Sequence, residues 1–332
     1  MNNKGLLALA ALSLLCSSCS LKGKSYPLEA YIHELEYRDG FKISQLTDLH
    51  FSSYDNLDED FKFLDLMYQE QPDLDLVVIT GDLFTYATKN TAKAVINYFD
   101  SKEIPWTITF GNHDEQIYAN FTFLSQYISE AKYSQFSYLD DDLNGLSNNV
   151  INLVKNNEIK FQLYFIDSNT YSYKNGIGYD AVHEDQIEFY KAQVELANKT
   201  RYGSSWQKGD PAIKSFLFQH IPLPEITNAV DGYDKDQPIN GGQYNENPCP
   251  PKFNTGFFEE IKGYESTMAV ITGHDHINNF VVSYQGVDFV YGSKSTDNMY
   301  LNEDMLGYRL FSIDSEEDYS TTCFFHTYSE VK

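Results

Sequence analysis

Residues 76–82 read LVVITGD, an apolar run that ends in a glycine and a carboxylate. A short apolar run bounded by a turn signal is typical of a buried strand. Open α/β sheets place their chemistry at the carboxyl ends of such strands. Asp82, the last residue of this stretch, therefore stands where an α/β enzyme would carry a functional side chain.

Four other apolar runs end in the same way, each before a group of Asp, Asn or His residues. The runs span residues 42–47, 106–110, 216–219 and 268–272, and they lead into Asp48-Leu49-His50, Gly111-Asn112-His113-Asp114, His220, and Gly273-His274-Asp275-His276. Five of the eight histidines fall in these segments, whereas His33, His183 and His326 carry no such context. A lone histidine is more often a satisfied core or surface group, but five at predicted strand ends indicate a chemical site.

In this order, the five segments resemble the signature of the calcineurin-like metallophosphoesterases, and they span residues 48–276. Each segment alone is weak evidence, whereas all five together are specific. The sequence around them is similar to one branch, the purple-acid-phosphatase-like proteins that lack the purple site. That similarity rests on QLTDLHF at 45–51, GYD at 178–180, HIPLP at 220–224 and GHDHIN at 273–278.

Two differences separate the chain from better-known relatives. Protein Ser/Thr phosphatases carry Gly-Asp-x-x-Asp-Arg-Gly, whereas residues 81–87 read GDLFTYA. True purple enzymes have a glycine where this chain has His50, and an iron-bound tyrosine where it has Thr85. Tyr86 stands one residue too late, so we expect neither a tyrosinate ligand nor a purple colour.

The resemblance implies an α/β fold, a four-layer α/β/β/α sandwich of two mixed sheets, with a site for two divalent or trivalent metal ions. Asp82 would bridge both ions. The other implied ligands are Asp48, His50 and His276 for the first ion, and Asn112, His220 and His274 for the second. Such mixed imidazole, carboxylate and amide ligation suits Mn, Fe or Zn rather than a structural ion bound by thiolates.

Two further residues have implied catalytic roles. In the resembled family, the histidine at the position of His113 is not a ligand but stabilises or protonates the leaving oxygen, which suits its proton affinity near working pH. Asp114 would orient that ring or the loop, or it is a simple loop cap, and both interpretations stay open. The aspartate that pairs with this histidine in protein phosphatases is replaced by Thr85, which leaves the partner of His113 open.

Gly81, Gly111 and Gly273 each precede an implied ligand. Either they make sharp turns that bring the backbone close to metal or phosphate, or they are ordinary turn glycines. Their shared position directly before ligands favours the first interpretation.

The implied reaction is hydrolysis of a small phosphoester, foremost a phosphomonoester, with a metal-bridging hydroxide as nucleophile. The alternatives are a phosphodiesterase for nucleotides or lipid head groups, and a non-catalytic binding protein on the same fold.

The formal net charge of −24 argues against a nucleic-acid partner, since a polyanion needs a basic surface. It also argues against adhesion to anionic lipid by charge. The 26 tyrosines either offer stacking surfaces for sugars or bases, or are ordinary core and surface residues.

The N-terminus has the layout of an export signal. Lys4 precedes an apolar run from Leu6 to Leu15, too short to span a membrane, and small residues then lead to Cys19. This resembles a bacterial lipoprotein signal with cleavage before a lipidated Cys19. An ordinary signal with incidental cysteines is the alternative. We expect an exported protein that faces the periplasm or the cell exterior and meets the membrane only through its lipid.

The domain organisation follows from this signal. Residues 1–19 would be the signal with its cleavage site, residues 20–27 a tether, and residues 28–332 a single phosphoesterase domain. The remaining cysteines, Cys249 and Cys323, are compatible with one disulfide or with two free thiols.

Periodicity and composition predict further elements. Amphipathic helices are expected over Asp58–Gln69, Thr91–Phe99 and Asp185–Ala197. Residues 203–210 and 231–251 are rich in Gly, Asn, Asp and Pro, which predicts loops. The second of these loops is expected to overhang the site and shape specificity.

Overall fold

The computed structural model describes residues 19–21, 24–172 and 178–331. Within those ranges, no helix combines the length and the apolar character needed to cross a membrane. The predicted signal falls largely on residues 1–18, which lie outside the described ranges, so its cleavage stays a prediction.

The helices and strands follow one another in mixed order along the described chain. The strands are β1 (Cys19–Leu21), β2 (Lys24–Tyr26), β3 (Ile32–Glu36), β4 (Phe41–Leu46), β5 (Leu76–Thr80), β6 (Trp106–Thr109), β7 (Asn149–Lys155), β8 (Glu158–Phe165), β9 (Tyr171–Ser172), β10 (Gly178–Tyr179), β11 (Ser215–Phe218), β12 (Gln237–Ile239), β13 (Gly242–Tyr244), β14 (Thr267–Thr272), β15 (Val281–Tyr284), β16 (Val287–Tyr291), β17 (Gly307–Ser315) and β18 (Asp318–Phe325). The helices are α1 (Leu57–Glu70), α2 (Lys89–Ser101), α3 (Phe121–Ser129), α4 (Glu184–Tyr202), α5 (Ile226–Ala229) and α6 (Phe257–Tyr264).

Two large mixed sheets organise these elements. One sheet has the strand order β15-β16-β14-β11-β8-β7-β3, and its central strands β16, β14, β11 and β8 are parallel. The other has the order β18-β17-β4-β5-β6, with β4, β5 and β6 parallel and β17 and β18 antiparallel at one edge.

The two sheets pack face to face, and helices cover the outer face of each. Between the sheets, Ile43 and Val78 of the five-stranded sheet share a buried core with Phe216, Phe218 and Ile271 of the seven-stranded sheet. Helices α1 and α2 cover the five-stranded sheet, and α4 and α6 cover the seven-stranded sheet. The predicted four-layer α/β/β/α sandwich is therefore confirmed.

Strand β5 shows why residues 76–80 are apolar throughout. Val77 and Ile79 pack with the helices, whereas Leu76 and Val78 pack with the other sheet, because successive side chains of a strand alternate between its faces. A strand that is buried on both faces needs such a continuous apolar run. Each of these side chains contributes roughly 1.5–3 kcal/mol by leaving water, so the strand holds Asp82 on a rigid support.

The predicted strands are confirmed as β4, β5, β6, β11 and β14, each within one residue of its expected bounds. The three predicted helices are confirmed as α1, α2 and α4, and all are longer than expected. Helix α2 begins earlier because Thr88 caps it by accepting a hydrogen bond from the Thr91 amide. Helix α4 continues to Tyr202, past the buried Asn198, whose side-chain amide donates to the Val194 carbonyl.

The prediction that residues 231–251 are wholly loop is wrong in part. Strands β12 and β13 form a hairpin around Asn240 and Gly241, whose φ angles of 47° and 81° suit a two-residue Asn-Gly turn. The rest of the segment is fastened beside the site. The amide of Ile277 donates to Glu246 at 2.9 Å, and the amide of Cys249 donates to Asp275 at 3.2 Å.

The stretch predicted as a tether contains ordered structure. Strands β1 and β2 pair antiparallel, β1 contacts helix α4, and Tyr26 is buried in the core. Farther along the chain, Cys249 and Cys323 are free thiols.

Asp60 on α1 supports a prediction about stability. The hydroxyl of Tyr328 donates to this buried carboxyl group at 2.8 Å, and burial raises its pKa from 3.8 to about 7. The folded protein therefore keeps a proton that the unfolded chain releases near pH 4, so this group lowers the free energy of unfolding as the pH rises from 4 to 7. Asp60→Asn should raise the melting temperature at pH 8 and change it little at pH 4.

Thermal unfolding at both pH values checks this expectation. Asp58→Asn is the matched control, because Asp58 is exposed on the same helix. If Asp60→Asn shifts the melting temperature equally at both pH values, the raised pKa of Asp60 is contradicted.

Candidate metal centre

The loops that carry the predicted site residues meet at one edge of the sandwich. Strands β4 and β5 are parallel neighbours in one sheet, and β11 and β14 are parallel neighbours in the other. The segments that follow these strands bring the predicted ligands together from five distant parts of the chain.

Four predicted ligands, Asp48, His50, Asp82 and His276, form one buried cluster. Each offers one ligand atom, and these four atoms all lie within 4.8 Å of one another. Nε2 of His276 is 3.0 Å from Nε2 of His50 and 3.4 Å from Oδ1 of Asp48. Two imidazoles and two carboxylates at this separation suit a cation held among them.

Two of the predicted histidine ligands are oriented by backbone carbonyl groups. Nδ1 of His220 lies 2.7 Å from the Thr80 oxygen, and Nδ1 of His276 lies 2.8 Å from the Tyr300 oxygen. A carbonyl oxygen only accepts, so each Nδ1 carries a proton, and Nε2 is the ring nitrogen left to bind a metal ion. Such partners commonly fix the orientation of imidazoles that bind metal.

Asp82 lies between the two predicted groups of ligands. Its Oδ2 is 3.7 Å from Nε2 of His50 and 3.2 Å from Nε2 of His220. Its Oδ1 accepts a hydrogen bond of 2.8 Å from the amide of His113. One carboxylate oxygen thus faces a ligand predicted for each ion, which is the position that a bridge requires.

The second group contains Asn112, His220 and His274, with Nδ1 of His274 3.4 Å from Nε2 of His220. The amide nitrogen of Asn112 donates to the Tyr171 hydroxyl at 3.2 Å. Its Oδ1 is buried, and no other atom of the described chain supplies a hydrogen bond to it. A buried oxygen without a partner is costly, and a metal ion would supply one. The donor set therefore fits a dinuclear metal site.

A family model described as calcineurin-like phosphoesterase matches residues 41–278. The chain belongs to this family. The matched stretch includes all five strand-end segments, from Asp48 to His276.

The chain is similar to known proteins of the purple-acid-phosphatase-like branch. It is 24% identical over 283 residues to "Probable inactive purple acid phosphatase 29" of Arabidopsis thaliana, across 76% of this chain and 71% of the plant protein. It is 29% identical over 275 residues to "Phosphatase DCR2" of Saccharomyces cerevisiae, across 72% of this chain. That alignment spans only 44% of the yeast protein. The resemblance drawn from the sequence is confirmed.

Solved structures share the fold. A dimetal phosphatase from Danio rerio matches with a TM-score of 0.54 at 12% identity, over 86% of this chain and all of that one. GAP50, described as the anchor in the inner membrane complex of Plasmodium, matches with a TM-score of 0.55 at 13% identity, over 89% of this chain and 87% of that one.

The buried charges of the candidate metal centre act on one another. Burial raises the pKa of Asp82, but His220 and His50 outweigh burial and hold that pKa below its usual value. Burial lowers the pKa of His220, but Asp82 and Asp48 outweigh it and raise that pKa to about 10. The two carboxylates therefore attract positive charge, and a bound metal cation would meet the same demand.

Four predicted ligands have an unusual backbone conformation. The φ angles of Asp48, His50, Asp82 and His274 are 54°, 50°, 51° and 80°, in the left-handed region that costs energy for residues other than glycine. Such strain of about 1–3 kcal/mol per residue persists where surrounding structure enforces it, and it concentrates at functional sites. These strand-to-loop turns aim the four side chains into the site.

The glycines before the ligands allow close approach of two loops. A Cβ atom at Gly81 would lie 2.5 Å from Nδ1 of His220, and one at Gly111 would lie 2.3 Å from Oδ1 of Asp82. Neither position has room for a side chain, which favours the sharp-turn interpretation over that of ordinary turn glycines.

His113 is half-buried at the rim of the cluster, with its ring centroid 5.0 Å from that of His50. Its Nδ1 lies 3.0 Å from Oε1 of Gln116, which the sequence did not identify as the partner. The hydroxyl of Thr85 lies instead 2.7 Å from Nδ1 of His50. Because the amide oxygen of Gln116 only accepts, the proton of the neutral His113 ring lies on Nδ1 and its lone pair on Nε2.

Asp114 is buried and ties two loops together. Its carboxylate accepts hydrogen bonds from the backbone amides of Asp82, Phe84 and Gly111 at 3.0, 2.9 and 2.8 Å. These contacts with backbone amides are those of a residue that orients or caps a loop. Asp114 therefore acts as a positioning residue for Asp82.

A further loop supports the first segment and was missed by the sequence analysis. The buried Lys294 donates from Nζ to the Asp48 carbonyl oxygen at 2.5 Å, and Thr296 donates to the Leu49 carbonyl oxygen at 2.6 Å. This loop follows β16, which is parallel to β14 and ends at the same edge. An apolar run before Gly292 was the available signal, but Ser293 and Lys294 come directly after that glycine, and neither is an Asp or a His.

Proposed function

We propose that this phosphoesterase hydrolyses small phosphomonoesters with two bound metal ions. The observation that carries the proposal is the buried cluster of Asp48, His50, Asp82 and His276, joined by the unpaired Oδ1 of Asn112. The clustered atoms face one another without protein groups between them, as ligands of metal ions do.

When bound, two metal ions would neutralise phosphoryl oxygens and make water nucleophilic near neutral pH. In the reaction, water adds to phosphorus, the ester P–O bond breaks, and the leaving oxygen takes a proton. His113 is the residue that we assign to that leaving oxygen, with Gln116 fixing its ring. Asp114 and Gly111 keep the backbone amide of His113 against Asp82.

The preference for monoesters is part of the proposal. It is supported by the names of the yeast and zebrafish proteins described above, both called phosphatases. Rates on p-nitrophenyl phosphate and bis-p-nitrophenyl phosphate test it. We expect faster hydrolysis of the monoester, and a clear preference for the diester would favour a phosphodiesterase for nucleotides or lipid head groups.

A non-catalytic binding protein is the second candidate, because the plant relative is named probably inactive. Against it stands the ligand set, since all seven predicted ligand positions hold residues able to bind metal. Protein that retains metal but turns over no phosphoester in a broad screen would establish this candidate instead.

We further propose that the protein is exported and anchored by lipid on Cys19. The support is the order of a short positive region, an apolar run and small residues before this cysteine. Cys19→Ala should leave an uncleaved precursor or release soluble protein, whereas wild type should enter the detergent phase. Aqueous partitioning of wild type, with an N-terminus other than Cys19, would contradict the anchor.

A further inference from the structure

Two tyrosines form a stacked pair beside the second predicted metal. Tyr171 on β9 and Tyr179 on β10 are direct cross-strand partners, and their ring centroids lie 5.5 Å apart with planes 28° from parallel. Cross-strand pairs of this kind hold both rings on one face of the small sheet.

Both tyrosines contact residues predicted to bind metal. The ring of Tyr179 meets the ring of His274 edge-on at 4.4 Å between centroids. The hydroxyl of Tyr171 accepts a hydrogen bond of 3.2 Å from Nδ2 of Asn112. The stacked pair is therefore one side chain away from the second predicted metal ion.

Part of this pair is open to solvent. Tyr171 is 41% exposed although its hydroxyl is engaged and one side of its ring faces Tyr179. An exposed aromatic face next to a catalytic site offers a planar ring a surface for stacking. The strongly acidic chain favours a neutral ring over an anionic one.

We propose that the exposed face of Tyr171, supported from behind by Tyr179, stacks on a planar ring of the leaving group, so that the substrate is a phosphomonoester of the nucleoside monophosphate kind. This inference rests on the proposed function and names its substrate class. The hydroxyl and the ring of Tyr171 have separate tasks: the hydroxyl orients Asn112 with Oδ1 towards the site, and the ring binds the leaving group.

The test compares adenosine 5′-monophosphate with ribose 5-phosphate. Both release a primary alcohol, so the broken bond is the same and only the base differs. Tyr171→Ala should lower kcat/KM for the nucleotide about 10-fold or more relative to that for the sugar phosphate, mainly through KM. Tyr171→Phe keeps the ring and should leave this ratio unchanged.

A second readout does not depend on turnover or on phosphate. Calorimetric titration with adenosine should give a Kd about 10-fold higher for Tyr171→Ala than for wild type and Tyr171→Phe. Tyr118→Ala is the matched control, because Tyr118 is also exposed and forms a stacked pair with Tyr86 on other loops. This control should change neither the substrate ratio nor adenosine binding.

The possible results test the stacking surface and the proposed hydrolysis separately. Equal losses on both substrates in Tyr171→Ala, or the same selective loss in Tyr118→Ala, would overturn the stacking surface while the phosphomonoesterase activity stands. Adenosine binding that depends on the Tyr171 ring, in a protein that hydrolyses neither substrate, would support the surface and contradict the proposed reaction.

Discussion

Replacement of Asp82 by asparagine should remove both metal ions and abolish phosphoester hydrolysis. If the asparagine oxygen keeps the hydrogen bond from the His113 amide, its NH₂ group replaces the oxygen that faces Nε2 of His50 and His220. A donor would then stand where both ions need an acceptor. The loss of metal affinity should exceed the roughly 10–100-fold typical of an outer-shell partner.

The fold should survive this change. Asparagine tolerates the left-handed conformation of position 82 better than most residues, and the apolar residues of β5 remain in place. His50→Ala is the comparison, because it should lower the occupancy of one ion more than that of the other. Metal-to-protein ratios decide the matter, and two metals retained in purified Asp82→Asn would contradict the bridge.

Replacement of His113 by alanine should leave the metals in place and slow the reaction. Help from a general acid is typically worth about 10²–10⁴-fold, or roughly 3–5 kcal/mol of barrier. The loss should depend on the ester. A p-nitrophenolate leaves readily without a proton, so its release should slow least, whereas an alkyl phosphate expels a basic alkoxide and should slow most.

The control for this variant is His326→Ala. His326 contacts Glu70 and is not one of the predicted site residues. It should behave as wild type on both esters. Equal losses on both esters in His113→Ala would indicate electrostatic binding of phosphoryl oxygens in place of proton transfer. Loss of metal would make His113 a ligand.

The strand ends of this fold were predictable because local sequence determines them. In residues 76–82, a run buried on both faces must be apolar, and a glycine must precede Asp82 where His220 approaches. The apolar run recurs at the other four segments, and a glycine precedes the site residues in two of them, at Gly111 and Gly273. Periodicity and turn chemistry therefore located every loop that carries a predicted ligand.

Contacts between loops were not predictable in the same way. The pairing of Thr85 with His50 depends on how separate loops face each other, which no local pattern records. Lys294 was missed for the same reason, since its partner is 246 residues away in sequence. The pairing of Gln116 with His113 is local, because the two residues are three apart in one turn, and the sequence analysis overlooked it. The hairpin β12–β13 is different, because its Asn240-Gly241 turn was visible in the sequence.

The most direct test of the account is a titration of metal-free protein with Mn²⁺ or Zn²⁺ while the initial rate of p-nitrophenyl phosphate hydrolysis is measured. The ligand set built around Asp82 predicts a rate that rises until two equivalents of metal are bound and then stays constant. A plateau at one equivalent, or no hydrolysis with two metals bound, would contradict a dinuclear phosphoesterase.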